Sequence, residues 1–258
     1  MDIKKALKKL KGLTAEIAVF AGSGLGDMIE LEKPVKVSYK SLGFEYANIG
    51  GHERNLVFGT LAGKKVVLAT RFHFYEDGST DDIFDLYEIL ANIGVKTVIS
   101  TTAVGGLNPN FEAGDIMLIK DHINLSGSNP LIGRMPIKFV DMTNAYDKAL
   151  RETTKKIAKR LKINLWEGVH VQVMGPTYET PAEVKFYRMI GGDTVSMSSA
   201  YGNICANFHD MKFVGFASIS NKAVDENSAP LSHTEVVEVA QKAAQKLGKI
   251  ISKLIEVL

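Results

Sequence analysis

A chain of 258 residues, 45% hydrophobic and 23% charged, is long enough to bury a substantial core, and its composition fits one globular domain over residues 1–258. Its 31 basic and 29 acidic side chains leave a formal charge of +2, which calls for neither a nucleic-acid nor an anionic-membrane partner. Cys205 is the only cysteine, which excludes an intramolecular disulfide and a cysteine metal site; with no apolar signal core and no apolar stretch of spanning length, a soluble cytoplasmic protein is expected.

The Lys-rich start, Lys4, Lys5, Lys8, Lys9 and Lys11, reads as a solvated helix face, since no aromatic residues are interleaved with it. Ile17 to Phe20 is a short apolar run ending in Ala21-Gly22-Ser23-Gly24-Leu25-Gly26, the pattern of a buried strand entering a glycine turn. Val35 to Tyr39, then Phe44, and Val57 to Leu61 predict consecutive strands joined by hairpins. Val66 to Ala69 predicts a further strand, followed by Arg71, His73 and Tyr75. Asp82 to Ala91 spaces Ile83, Leu86, Ile89 and Leu90 on one helix face. Val95 to Ser100 and Ile116 to Ile119 predict strands, the first running into Thr101-Thr102-Ala103-Val104-Gly105-Gly106.

Ala145 to Leu161 predicts a helix with basic residues near its end, where they suit the dipole. Val169 to Met174 predicts a strand that runs into Gly175-Pro176-Thr177-Tyr178-Glu179-Thr180-Pro181. A helix starts there: Thr180 suits the N-cap, Pro181 the first turn, and Glu183 completes a capping box. Strands at Val195 to Ser198 and Phe213 to Ile219 and a helix from Glu235 to Ile255 complete the alternation. The expected fold is a three-layer α/β domain with a mixed central sheet flanked by helices.

Ligands of open α/β sheets bind beyond the carboxyl ends of strands, which directs attention to Ser23, Arg71, His73, Tyr75, Ala103, Glu179, Met197, Ser198 and Asn221. Gly22 to Gly26 suits an anion, because glycines let successive N–H groups converge and Ser23 adds a hydroxyl. A ligand-free tight turn explains those glycines equally well, and no Walker or dinucleotide pattern follows them. Arg71 shifts the balance: a guanidinium grips two oxygens at once, and His73 and Tyr75 follow on alternate positions of an extended chain. Taken singly, Arg71 fits a surface ion pair, Glu179 a helix-start acid, Met197 a core filler and His233 a helix cap. The six histidines show no metal-ligand spacing, and Ser23 is not in a nucleophile elbow.

Together, Gly22-Ser23-Gly24-Leu25-Gly26, Arg71-Phe72-His73-Phe74-Tyr75-Glu76, Gly105-Gly106-Leu107-Asn108-Pro109, Gly114-Asp115-Ile116-Met117, Asp121-His122-Ile123-Asn124, Gly175-Pro176-Thr177-Tyr178-Glu179-Thr180, Met197-Ser198 and Ser220-Asn221-Lys222 resemble the trimeric purine nucleoside phosphorylases, in order from about Gly22 to His233. The resemblance implies a partly barrel-like sheet, a homotrimer, small-molecule substrates and no cofactor, inorganic phosphate being a co-substrate. It implies that Ser23, Arg71, His73, Ser198 and the Ala103 N–H hold phosphate, with Glu179 and Asn221 on the purine. Tyr75, Met197 and His233 line the ribose, and Phe139 is the candidate for the aromatic residue that closes a neighbouring subunit's sugar pocket. Asn221, Glu179 and His73 would then carry the catalysis.

Asn221 stands where an acid marks the related methylthioadenosine phosphorylases, which favours 6-oxopurine nucleosides. Methylthioadenosine cleavage, or purine binding with weak turnover, are the alternatives. The chain departs from the family pattern at Ser199-Ala200-Tyr201-Gly202, where Thr-Val-Pro-Glu is usual, and at Asp77, an extra residue in the loop bearing Tyr75. Loss of the acid at Gly202 is expected to remove local hydrogen bonds.

Overall fold

Alternate residues of the first strand face two different layers, and this organises the molecule. The computed structural model describes residues 1–21, 29–46, 54–223 and 233–258, without the side chains of 233–242. In β1 (Ile17–Phe20), Ile17 and Val19 pack with helices α4 (Lys148–Arg160) and α7 (His233–Val257) through Leu150, Ile157, Leu247 and Ile251. Ala18 and Phe20 pack on the other side, with α1 (Ile3–Lys9) and α3 (Asp81–Asn92) through Ala6, Leu86 and Leu90. A strand buried on both faces reads as an uninterrupted apolar run, as this one does.

The remaining elements are β2 (Glu32–Ser38), α2 (Tyr39–Leu42), β3 (Asn55–Leu61), β4 (Lys64–Ala69), β5 (Thr97–Gly106), β6 (Ile116–Asn124), β7 (Trp166–Gln172), α5 (Pro181–Met189), β8 (Thr194–Ser196), α6 (Ala200–Phe208) and β9 (Lys212–Lys222). The sheet order is β2-β3-β4-β1-β5-β8-β7-β6-β9, and β9 pairs back onto β5. Strands β5, β8, β7, β6 and β9 therefore form a closed ring, while β1 to β4 extend from it as an open wing. This is the mixed, partly barrel-like α/β sheet that was expected. The β2-β3-β4 meander is antiparallel, and β1 runs parallel to both β4 and β5. Among the described residues no helix is long and apolar enough to cross a membrane.

Several expected boundaries move. β5 does not stop at Ser100 but continues to Gly106, because β9 pairs with it along its whole length. β6 likewise runs through Asp121 and His122 to Asn124 beside β7. Neither extension has a local signal, since the partner strand supplies the missing hydrogen bonds. α4 begins at Lys148 rather than Ala145, where Asp147 accepts from the Leu150 N–H at 2.8 Å. Helix α6 (Ala200–Phe208) was not anticipated, since Gly202 and Asn203 weaken any local helical signal there. The capping box at Thr180 and Glu183 is present as predicted.

Candidate active site

The sheet itself opens the site. β1 pairs with β5 only as far as Ser100, and β8 joins the same edge only at Gly105. Between them, among the described residues, no strand pairs with Thr101 to Val104 on that side, and polar side chains gather at this gap.

Arg71 reaches it from just beyond the end of β4. Its Nη2 donates to Ser100 Oγ at 2.7 Å and to the Thr101 carbonyl at 3.0 Å. No carboxylate pairs with it among the described residues, although burial pulls its pKa down from the usual arginine value. A guanidinium keeps its charge in proteins, so a positive charge without a carboxylate partner among the described residues stands at this gap.

His73 follows in extended backbone, and its Nδ1 lies 3.0 Å from Glu76 Oε1. Burial lowers the imidazole's pKa, and the charge on Arg71 adds to that, against the opposing hydrogen bond to Glu76. Burial alone would push the Glu76 carboxyl up, but hydrogen bonds from His73 and Arg54 outweigh it and hold it below the ordinary value. The expectation that Arg71, His73 and Tyr75 alternate along one extended chain is corrected at Tyr75. Phe74 to Glu76 turn into one turn of 3₁₀ helix, and Tyr75 meets His73 by stacking, with centroids 5.0 Å apart.

Ser198 approaches from the end of β8. Its hydroxyl lies 2.8 Å from Thr102 Oγ1, its N–H donates to Ser196 Oγ at 3.3 Å, and its carbonyl lies 3.0 Å from His170 Nε2. His170 is fully buried, and desolvation pushes its pKa down to about 4, so the ring is neutral near pH 7. One proton then serves Nε2, which donates to Ser198, while Nδ1 accepts from Thr194 Oγ1 at 3.0 Å. Sequence reading missed this buried support; the signal was His170 and Gln172 inside the apolar run of β7.

Gln172 carries a second support. Its Oε1 accepts from the Ala200 N–H at 2.7 Å, capping α6 from a neighbouring strand. Ser199 holds a left-handed φ of 95° at the turn between Ser198 and that helix.

Arg71, His73, Met197 and Ser198 line one cavity, together with Phe20, Tyr87 and Tyr201. Tyr75, Ala103, Glu179 and Asn221 are not among its lining residues. Ala103 lies on the open edge of β5 rather than beyond a strand end. Asn221 sits within β9, beside a bulge. Val104 pairs with Ile219 and Gly105 with Asn221, so Ser220 is the extra residue. The Ser220 hydroxyl lies 2.9 Å from Asn221 Oδ1, and Asn221 Nδ2 donates to the Lys222 carbonyl at 3.0 Å.

Glu179 precedes α5 but does not cap it, because Thr180 and Glu183 already do so. Its half-buried carboxyl makes no side-chain partnership among the described residues, and burial raises its pKa. Its loop is tied to Met197 through Gly175, where a Cβ would come 2.3 Å from the Met197 sulfur and φ is +75°. Ser23 and the His233 side chain lie outside the described residues. Phe139 is 97% exposed, in a stretch that also exposes Ile132, Met135 and Ile137.

The model of the phosphorylase superfamily matches residues 16–256. The chain is 42% identical over 247 residues to purine nucleoside phosphorylase 1 of Bacillus subtilis, covering 93% of this chain and 91% of the relative.

The chain belongs to the purine nucleoside phosphorylase family.

It is also 40% identical to the Rattus norvegicus purine nucleoside phosphorylase over 255 residues, covering 93% of this chain and 88% of the relative. Among solved structures, the Schistosoma mansoni purine nucleoside phosphorylase in complex with inosine superposes with a TM-score of 0.92 at 32% identity, covering 99% of this chain and 95% of the other. Isoform 2 from the same organism, in complex with cytosine and ribose-1-phosphate, gives a TM-score of 0.94 at 32% identity, covering 100% and 96%.

The departures from the family pattern have structural partners of their own. A Cβ at Gly202 would lie 2.4 Å from the Tyr87 hydroxyl, so this phenol fills the space a side chain at 202 would need. The Tyr201 hydroxyl donates to Ser126 Oγ at 2.6 Å, tying α6 to the segment after β6. The start of α6 is held instead by the Tyr201 hydroxyl and by Gln172 of β7. Gly202→Ala is expected to lower stability by about 1–3 kcal/mol through overpacking. Thermal melting should show the loss, with Tyr87→Phe in the same chain recovering part of it; an unshifted melting point would contradict the packing described.

Proposed function

We infer that this chain catalyses the reversible phosphorolysis of 6-oxopurine nucleosides, inosine, guanosine and their deoxy forms, to the free base and (deoxy)ribose 1-phosphate. The carrying observation is the pairing of an Arg71 without a carboxylate partner among the described residues, with the Ser198 hydroxyl in the same cavity, and an amide rather than an acid at position 221.

The chemistry follows from charge. As the C1′–N9 bond breaks, its electron pair passes to the purine and the sugar becomes cationic. Phosphate held by Arg71, His73 and Ser198, with Ser23 and the Ala103 N–H, stabilises that cation. One of its oxygens then bonds to C1′. Asn221 offers a carbonyl and an amide N–H, and donation to N7 strengthens as negative charge develops there, which is transition-state stabilisation. Ionised Glu179 accepts from the N1–H of hypoxanthine or guanine, a proton that adenine lacks. Tyr75, Met197 and His233 are assigned to the ribose. The exposed apolar stretch from Ile132 to Phe139 supports a homotrimer in which Phe139 closes a neighbour's sugar pocket.

Base release from inosine, guanosine, adenosine and methylthioadenosine, each with and without phosphate, tests this reading. Phosphate-dependent release from inosine and guanosine is expected. Preference for methylthioadenosine, or tight hypoxanthine binding without product, would replace the reading with one of its alternatives.

A pH dependence follows from Glu179. Its carboxyl must be ionised to accept N1–H, and burial raises its pKa. The kcat/KM for inosine should therefore fall on acidification at a higher pH than an unperturbed glutamate would dictate, since this ratio reports groups of the free enzyme. Glu179→Gln should lower kcat/KM and abolish that acidic limb; an unchanged limb would assign it to another group.

A further inference from the structure

Arg54 occupies a position that stability alone does not explain. It is buried at the start of β3, its guanidinium lying 5.0 Å from the Tyr46 ring centroid and 4.9 Å from that of Phe72. Its backbone is pinned on both sides: its N–H donates to the Tyr46 hydroxyl at 3.0 Å and its carbonyl accepts from the Tyr39 N–H at 2.9 Å. Nη2 reaches Glu76 Oε1 at 2.5 Å, whereas the buried Nη1 has no hydrogen-bond partner among the described residues. An apolar side chain of similar volume between two aromatic rings would fold at least as well, because a buried ion pair seldom repays its desolvation. What the arginine adds is a fixed donor for Glu76.

The same carboxylate oxygen also receives His73 Nδ1 at 3.0 Å. We propose that Arg54 is a positioning residue for His73: from its place at the start of β3, a strand paired on both sides, it holds Glu76, which fixes the imidazole with Nδ1–H inward and Nε2 as a bare acceptor toward the cavity. Glu76 needs such an anchor, since it sits on a single 3₁₀ turn followed by the exposed residues Asp77 and Gly78. An Nε2 acceptor suits the P–OH of monoprotonated phosphate, whereas the other tautomer would present a donor there. The inference rests on the reading of His73 as a phosphate ligand and extends it to a side chain 19 residues earlier in the chain.

Nitrogen-15 NMR of histidine-labelled protein at neutral pH, with His73 assigned by its loss in His73→Asn, reads the tautomer directly. A neutral Nδ1–H ring is expected; an Nε2–H ring would overturn the proposal without any change at Arg54. Kinetics then test the route. Arg54→Met should raise the KM for phosphate about tenfold, the scale for losing a histidine's orienting partner, while kcat at saturating phosphate changes much less. Combined with Glu76→Ala it should add nothing to the effect of Glu76→Ala alone, since both act along one path. Effects that multiply, or a phosphate KM in Arg54→Met within about twofold of wild type, would overturn it. An unmoved phosphate KM in His73→Asn defeats the phosphate reading of His73 and this inference with it. A raised KM there beside an unmoved one in Arg54→Met defeats the inference alone.

Discussion

Arg71→Met should raise the KM for phosphate by on the order of a hundredfold or more without lowering the melting temperature. Removing one member of a desolvated charge pair costs about 2–5 kcal/mol in binding, and Arg71 is the charged member of the set that shares the cavity with Ser198. The second half of the expectation runs opposite to intuition. In the free protein Arg71 is a cation with no carboxylate partner among the described residues, held by Ser100 Oγ, the Thr101 carbonyl and the Phe20 ring 5.9 Å away. Replacing such a charge with an apolar side chain of similar length is neutral or stabilising for the fold. Arg71→Lys should resemble the methionine variant more than the wild type, because an ammonium cannot keep both protein contacts and still grip two phosphate oxygens. Initial rates over a phosphate series, with melting curves on the same samples, check this. A phosphate KM that does not move would remove Arg71 from the anion site, and a large drop in melting temperature would make it a structural residue.

Asn221→Ala should reduce kcat for inosine about 10²–10³-fold, the range for losing one preorganised donor aimed at developing charge. The fold should tolerate the change, since among the described residues the Asn221 side chain hydrogen-bonds to its chain neighbours, the Ser220 hydroxyl and the Lys222 carbonyl. Asn221→Asp is the more selective experiment. An ionised aspartate still accepts from the Ser220 hydroxyl but has no proton to give N7, and it faces the lone pairs of O6. Use of inosine relative to adenosine should therefore fall. An unchanged ratio would mean that residue 221 does not face the base. Single-turnover rates beside KM values separate the lost donor from simple loss of binding.

These residues were legible to different degrees, and the difference is physical. β1 and the start of α5 were readable because their signals are local: an apolar run buried on both faces, and a threonine, proline and glutamate within four positions. Arg71, His73, Ser198 and Asn221 stood out as polar residues following apolar runs. α6 was not readable, since Gly202 and Asn203 interrupt its pattern. It is held instead by Gln172, 28 residues from the N–H it caps, and by the buried Tyr201. The glycine at 202 looked like a loss; it makes room for a phenol contributed by α3.

The supports of the proposed phosphate ligands were invisible for the same reason. Thr102 meets Ser198 across 96 residues, His170 meets Ser198 across 28, and Arg54 meets Glu76 across 22. Which hydroxyl faces which is decided by the closure of the β5-β8-β7-β6-β9 ring, a long-range event with no local pattern. Sequence thus named the residues expected to touch ligand more readily than those that hold them still.

A crystal structure with hypoxanthine and phosphate bound is the most direct test of the account. The phosphate should lie within hydrogen-bond distance of the Arg71 guanidinium and the Ser198 hydroxyl, and the purine should place N1 against Glu179 and N7 against Asn221, with room for a ribose between. Phosphate bound elsewhere, or a purine turned away from Asn221, would contradict it.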